Sequence, residues 1–247
     1  MKLSGNTILI TGGTSGIGLA LAKEFTALGN KVIVCGRRVD RLEQMKLEIP
    51  GLVAYRCDVS VAAERRALLE WLQSEHPDAN VLVNNAGVQL TADLHHEIDL
   101  DRLETEMNTN FTAPVHLSSL FAAFLKGKEG AAIVNISSGL AFVPIAFMPI
   151  YCASKAAIHS FTLSLRYQLR NSGIQVFEIA PPAVDTELGH DRRTDKNQSH
   201  GGIPVGEFVQ GAMEALENDV LEATVGMATS LRQNREGAFE MLNSRFQ

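Results

Sequence analysis

Thr7-Ile8-Leu9-Ile10-Thr11-Gly12-Gly13-Thr14-Ser15-Gly16-Ile17-Gly18 runs directly into Leu19-Ala20-Leu21-Ala22-Lys23-Glu24-Phe25-Thr26-Ala27-Leu28. A short aliphatic run, a glycine-rich turn and an apolar stripe at helical spacing read as strand, tight reversal and helix. The same alternation continues outward from this unit. Strands are expected at Thr7–Thr11, Lys31–Cys35, Leu52–Cys57, Val81–Val83, Ala131–Ile136, Ile174–Ala180 and, more weakly patterned, Glu222–Gly226. Helices are expected near 16–28, 38–48, 60–74, 100–126, 150–171 and 206–218. This alternation predicts an α/β fold: a doubly wound parallel sheet of about seven strands, joined by right-handed crossovers and covered by helices on both faces.

The chain has 247 residues, 45% of them hydrophobic and 20% charged, which suits one domain over 1–247 with a core on each side of a sheet. Lys and Arg number 22 against 28 Asp and Glu, for a net charge of -6, and no dense basic run occurs. Nucleic acid and anionic membrane surfaces are therefore not expected partners. Three cysteines, Cys35, Cys57 and Cys152, lack paired spacing and read as reduced thiols of a cytoplasmic protein. The longest apolar run, Leu140 to Tyr151, is broken by Pro144 and Pro149 and is too short to span a membrane. From Glu187 charged residues, histidines and glycines replace the aliphatic pattern, so 187–205 is expected to form a mobile substrate loop after the sixth strand.

The glycine turn has Gly-x3-Gly-x-Gly spacing, and its setting between strand and helix is what a diphosphate needs. Bare backbone at Gly12 and Gly18 permits close approach, and the N–H groups and positive dipole end of the following helix attract an anion. Thr14, Ser15 and Ile17 complete the expected phosphate loop. A tight connection without a ligand is the plainer alternative. At the end of the second strand, where an NAD site usually has a carboxylate, the chain reads Cys35-Gly36-Arg37-Arg38. Two guanidinium groups suit the 2′-phosphate of NADP(H). They could also be solvated residues opening the second helix.

Three further signals follow in order: Asn84-Asn85-Ala86-Gly87, Ser137-Ser138, and Tyr151-Cys152-Ala153-Ser154-Lys155 at the head of a long helix. With these, over nearly its whole length, the sequence resembles the short-chain dehydrogenase/reductase family, whose fold is Rossmann-like. The ordered set carries the resemblance, including a Ser thirteen residues before the Tyr. The Cys-Gly-Arg strand end, Ser138-Gly-Leu-Ala-Phe142 and Pro181-Pro182-Ala183-Val184-Asp185-Thr186 most resemble the DltE-like oxidoreductases of that family.

Tyr151 and Lys155 are four apart on a helix and share a face. A free Tyr has a pKa of about 10, and a neighbouring ammonium favours its phenolate. Tyr151 is thus expected as the acid/base, Lys155 as the group lowering its pKa, and Ser138 as the hydrogen-bond donor to the substrate oxygen. The resemblance implies that Asn110 completes the set by holding a proton-relay water, that Asn85 and Gly87 lie on the cofactor side, and that Asn84 supports the central sheet. It also implies an adenine contact at Asp58 and Val59, and carboxamide contacts at Pro181, Val184 and Thr186. Asn108 competes with Asn110, Ser137 with Ser138, and Asp58 could also cap the third helix. Tyr151 and Lys155 could be a surface pair. Pro182, where the family commonly has Gly, stiffens the start of the loop.

The expected activity is interconversion of a small-molecule carbonyl and alcohol with NADP(H). A regulatory protein that senses NADPH without turnover is the alternative. The apolar stretch Gly139 to Ile150 joins two catalytic positions and suggests a lipophilic or aromatic substrate, although core or subunit packing would explain most of it equally. Ala153, Ala156, Ala157 and Ile158 would permit helix pairing in a homodimer or homotetramer. His95 and His96 point apart on any regular element, His190 and His200 have no companion at ligand spacing, and no metal site is expected.

Overall fold

The computed structural model describes residues 1–189, 199 and 201–244. Its strands are β1 (Thr7–Thr11), β2 (Lys31–Gly36), β3 (Val53–Arg56), β4 (Val81–Asn84), β5 (Ala132–Ile136), β6 (Gln175–Ala180) and β7 (Glu222–Thr224). They form one parallel sheet in the order β3-β2-β1-β4-β5-β6-β7. The helices are α1 (Gly16–Ala27), α2 (Val39–Glu48), α3 (Ala62–Glu75), α4 (Leu100–Met107), α5 (Ala113–Leu125), α6 (Pro149–Leu169), α7 (Val205–Glu217), α8 (Met227–Asn234) and α9 (Phe239–Asn243).

The strands are apolar on both faces because both faces are covered. Ile8, Ile10, Val32, Val34, Val81 and Val83 pack with Leu21 and Phe25 of α1, Leu42 of α2 and Phe208 of α7. Their neighbours Leu9, Ile33, Leu82 and Ile133 pack with Leu72 of α3, Leu117 and Phe121 of α5 and Leu165 of α6. β1 leads outward through β2 and β3 on one side, and β4 returns to its other side. The order therefore reverses between β1 and β4, which opens a crevice at their carboxyl ends.

A chain of buried polar side chains fixes α5 and α6 on this sheet. Asn84 Nδ2 donates to Ser118 Oγ at 3.2 Å and to Asn135 Oδ1 at 2.9 Å. Asn135 Nδ2 then donates to Thr162 Oγ1 at 2.9 Å. Asn84 thus braces the central sheet, as expected.

Several expected details differ. The 100–126 helix contains a π-helical turn, Asn108–Thr112, between α4 and α5. The widened turn carries Asn110, whose side chain clamps the backbone of Val88 beyond β4. Asp58 does not cap α3: Val61 holds that position, while Asp58 accepts from Ser60 N and Oγ and Glu64 reaches back to Asp58 N. β7 ends at Thr224, and α8 and α9 follow it where the sequence showed only a tail. Of the expected 187–205 loop, residues 190–198 and 200 lie outside the described residues. Its far end is tied down by a bridge between Val184 and Ile203.

Replacing Asn135 with Ala leaves Asn84 Nδ2 with Ser118 Oγ and Thr162 Oγ1 with Ile158 O, each one hydrogen bond poorer. A hydrogen bond contributes about 0.5–1.5 kcal/mol net, so urea denaturation is expected to show a loss of about 1–3 kcal/mol for the two. A loss below about 0.5 kcal/mol, the range of ordinary surface substitutions, would contradict the bracing role.

Candidate active site

The crevice is a cavity of about 450 Å³ lined by the glycine turn, the ends of β2 to β5, the head of α6 and residues 186–189. At its floor Gly12 takes a positive φ of 64°, and a Cβ there would lie 2.7 Å from Ala86 Cα. Gly12 N donates to Cys35 O at 2.9 Å. Thr11 Oγ1 accepts from Asn85 N at 3.0 Å and from Ala86 N at 3.1 Å. The Asn85 side chain donates back to Thr11 O and Gly12 O. A Cβ on Gly18 would collide with that amide and with Gly12 O. Glycine at 12 and 18 is thus required by packing as well as by any ligand. α1 has no acidic residue in its first turn, so the positive end of its dipole faces the cavity uncompensated.

A basic corner lies beside this turn. Arg38 Nη2 donates to Ser15 Oγ at 2.8 Å and Thr14 Oγ1 at 3.1 Å, and Ser15 makes no side-chain capping bond to α1. Arg37 Nη1 is 4.0 Å from Asp58 Oδ2. Burial works to raise the Asp58 carboxyl, but bonds from Ser60 and the charges of Arg37 and Arg56 outweigh it and hold the group below its ordinary value.

At the other end Tyr151 and Lys155 are both buried, with Lys155 Nζ 5.7 Å from the Tyr151 ring centre. They are not a surface pair. Lys155 Nζ donates to Ile136 O at 3.0 Å. Burial lowers its pKa to about 8 against the opposing charges of Glu178 and Glu106. Glu178 is buried and bonded to His159, one turn along the same face of α6. Ser138 Oγ accepts from Leu140 N at 3.1 Å, which leaves its proton available to donate. Thr109 Oγ1 and Ser137 Oγ, both lining the cavity, are buried without a hydrogen-bond partner. Such orphaned groups, together with the glycine cradle and the basic corner, fit a dinucleotide.

The cavity brings together Gly12, Thr14, Ser15, Ile17, Arg37, Arg38, Asp58, Val59, Asn85, Gly87, Tyr151, Lys155, Pro181 and Thr186. Gly18, Asn110, Ser138 and Val184 do not line it. Gly18 lies beneath the turn. Asn110 Nδ2 is spent on Val88 O and Ser154 Oγ. Val184 turns its side chain into the core. Ser137, the competitor of Ser138, lines the cavity, and Thr109, Val88 and Glu187 do so beyond the expected set. The bulky side chains of the apolar stretch do not: Phe142, Val143, Ile145 and Met148 form a core cluster with Leu231 and Leu242, because α8 and α9 cover them. Ile158 is likewise buried, while Ala153 and Ala156 are exposed. His95 and His96 both approach Asp93, at 2.8 and 3.7 Å, since their segment forms no regular element. His159, Glu178 and Glu222 offer atoms within 4.8 Å of one another that could hold a metal, but Arg232 Nε sits 2.6 Å from Glu222.

The family model for short chain dehydrogenases matches residues 6–197. The chain belongs to the short-chain dehydrogenase/reductase family. It is 45% identical to the uncharacterized oxidoreductase DltE of Bacillus subtilis, over 99% of both chains. It is 29% identical to the NADP-dependent 3-hydroxy acid dehydrogenase YdfG of Salmonella typhi, over 90% of this chain and 88% of that one. Among solved structures of the family, a short-chain dehydrogenase from Sphingobium yanoikuyae in complex with NADPH superposes with a TM-score of 0.81. It shares 28% identity, with 89% of this chain and 87% of that chain covered. One from Burkholderia cenocepacia in complex with NADP gives a TM-score of 0.83 at 26% identity, over 99% and 98%.

The buried ammonium of Lys155 sets a sign for stability. The unfolded chain holds this proton to about pH 10.4 and the folded chain releases it near pH 8, so the cost of burying the charge is fully present below pH 8 and relieved as pH rises. Relative to Lys155→Met, the wild type is expected to gain melting temperature between about pH 8 and 10. A difference that stays constant with pH would contradict the depressed pKa.

Proposed function

We propose that the chain is an NADP(H)-dependent oxidoreductase that interconverts a carbonyl and an alcohol. The observation that carries this is one cavity with a basic, hydroxyl-lined corner at one end and the Tyr151–Lys155 pair at the other. NADPH, when bound, supplies the hydride. Arg37 and Arg38, with the hydroxyls of Thr14 and Ser15, hold the 2′-phosphate, and the glycine turn with the head of α1 holds the diphosphate. Asp58 and Val59 border the adenine, and Pro181, Thr186 and the main chain of Val184 the carboxamide.

In the reductive direction Tyr151 Oη gives its proton to the carbonyl oxygen. Lys155 stabilises the phenolate left behind, and Ser138 donates a hydrogen bond to the same oxygen. Asn110 is assigned the relay water that returns a proton through Lys155. Its side chain is committed to Val88 and Ser154, so this role falls to the main chain of the π turn. Residues 187–205 act as the substrate loop of a single domain. Three free, buried thiols support a reducing, cytoplasmic setting, and the exposed Ala153, Ala156, Leu163 and Tyr167 of α6 support assembly into a homodimer or homotetramer.

NADPH consumption across a carbonyl panel tests the reading. Tyr151→Phe is expected to lose about 10²–10⁴-fold in kcat while keeping NADPH affinity. A variant as fast as wild type would refute the proton-transfer role. Arg37→Ala is expected to weaken NADPH binding by about tenfold and leave NADH binding unchanged. Wild-type protein that binds NADH more tightly than NADPH would refute the phosphate corner.

A further inference from the structure

Glu187, immediately after Thr186, lies across the basic corner. Its Oε2 accepts from Arg38 Nη1 at 3.0 Å and its Oε1 from Arg41 Nη2 at 3.4 Å. The other amino group of Arg38 is the one bonded to Thr14 and Ser15. One guanidinium therefore binds a carboxylate with one edge and the hydroxyls of the glycine turn with the other. This is the arrangement a phosphate monoester would take, with a side chain of the protein in part of its place. Glu187, Leu188 and Gly189 line the same cavity as Tyr151.

We infer that Glu187 is a specificity-determining residue that competes with the 2′-phosphate of NADP(H) for Arg38. The inference rests on the NADP(H) reading above and goes beyond it. Two anions cannot share this corner without mutual repulsion, so a cofactor bearing a 2′-phosphate must displace the carboxylate. A cofactor with a free 2′-hydroxyl carries no such charge and leaves the pair intact. Glu187 therefore weakens binding of the phosphorylated cofactor, and it links the identity of the nucleotide to the position of the chain just beyond Thr186. The latch is partial because both side chains are partly exposed, Arg38 at 44% and Glu187 at 37%. Exposed pairs are weak, and removing the two to Arg38 and Arg41 corresponds to about a three- to tenfold change in affinity.

The test is calorimetric titration of the full chain with 2′,5′-ADP and with 5′-AMP, comparing wild type, Glu187→Asp and Glu187→Gln. Glu187→Gln is expected to bind 2′,5′-ADP about three- to tenfold more tightly and 5′-AMP as wild type does, with Glu187→Asp in between. Unchanged or weaker 2′,5′-ADP binding by Glu187→Gln, with the wild-type preference for 2′,5′-ADP intact, would overturn the competition alone. Equal gains for both nucleotides would also overturn it, since the effect would not depend on the phosphate. A wild type with no preference for 2′,5′-ADP would overturn the phosphate corner, and the role of Glu187 with it.

Discussion

At the carboxyl ends of β1 and β4 the backbone of Gly12 lies against that of Ala86, with no room for a side chain between them. This contact joins the two halves of the sheet at the point where strand order reverses. Thr11 and Asn85 hold it together through hydrogen bonds that run both ways between the two strands. Everything that follows depends on this junction. It gives the glycine turn its shape, aims the head of α1 into the crevice, and leaves the extension of β4 free to meet Asn110. A single side chain inserted there would push apart the elements that form both ends of the cavity.

The second dependency runs through the face covered by α3, α5 and α6. Ser118, Asn84, Asn135 and Thr162 connect α5, β4, β5 and α6 by buried hydrogen bonds. Apolar packing alone would tolerate small slides of α6 along the sheet. The polar chain fixes its register, and with it the positions of Tyr151 and Lys155. Lys155 is placed where burial disfavours its charge, and the buried carboxylates of Glu178 and Glu106 keep the ammonium accessible near neutral pH. The same helix thus anchors the sheet along one stretch and carries the buried Tyr151 and Lys155 at the cavity along another.

Most of this architecture was legible in the sequence, for a physical reason. Strands buried on both faces must be continuously apolar, and a dinucleotide turn must be glycine-rich, so both features leave local signatures. Tyr151 and Lys155 were legible because four residues on a helix define a face. What stayed hidden depends on distant partners. The π turn at 108–112 has one local sign, Pro114, whose missing N–H cannot make the helical bond back to Asn110 O, but a proline alone does not tell a π turn from a kink. Residues 139–150 read equally well as pocket wall or as core, and only the later placement of α8 and α9 decides for core at Phe142, Val143, Ile145 and Met148, while Ile150 lines a second, smaller cavity with Leu90. The latch between Glu187 and Arg38 joins residues 149 apart in sequence, and nothing near either one signals the other. Asp58 looked like a cap because its spacing to α3 is close to that of one, but the chain spends it on Ser60 instead.

The central claim is that one crevice seats a phosphorylated dinucleotide with its two ends at two defined places. A crystal structure of the protein grown with NADPH tests this most directly. The account predicts the 2′-phosphate among Arg37, Arg38, Thr14 and Ser15, and the nicotinamide beside Tyr151 and Lys155. A 2′-phosphate turned to solvent away from these residues, or a nicotinamide bound away from Tyr151, would contradict it.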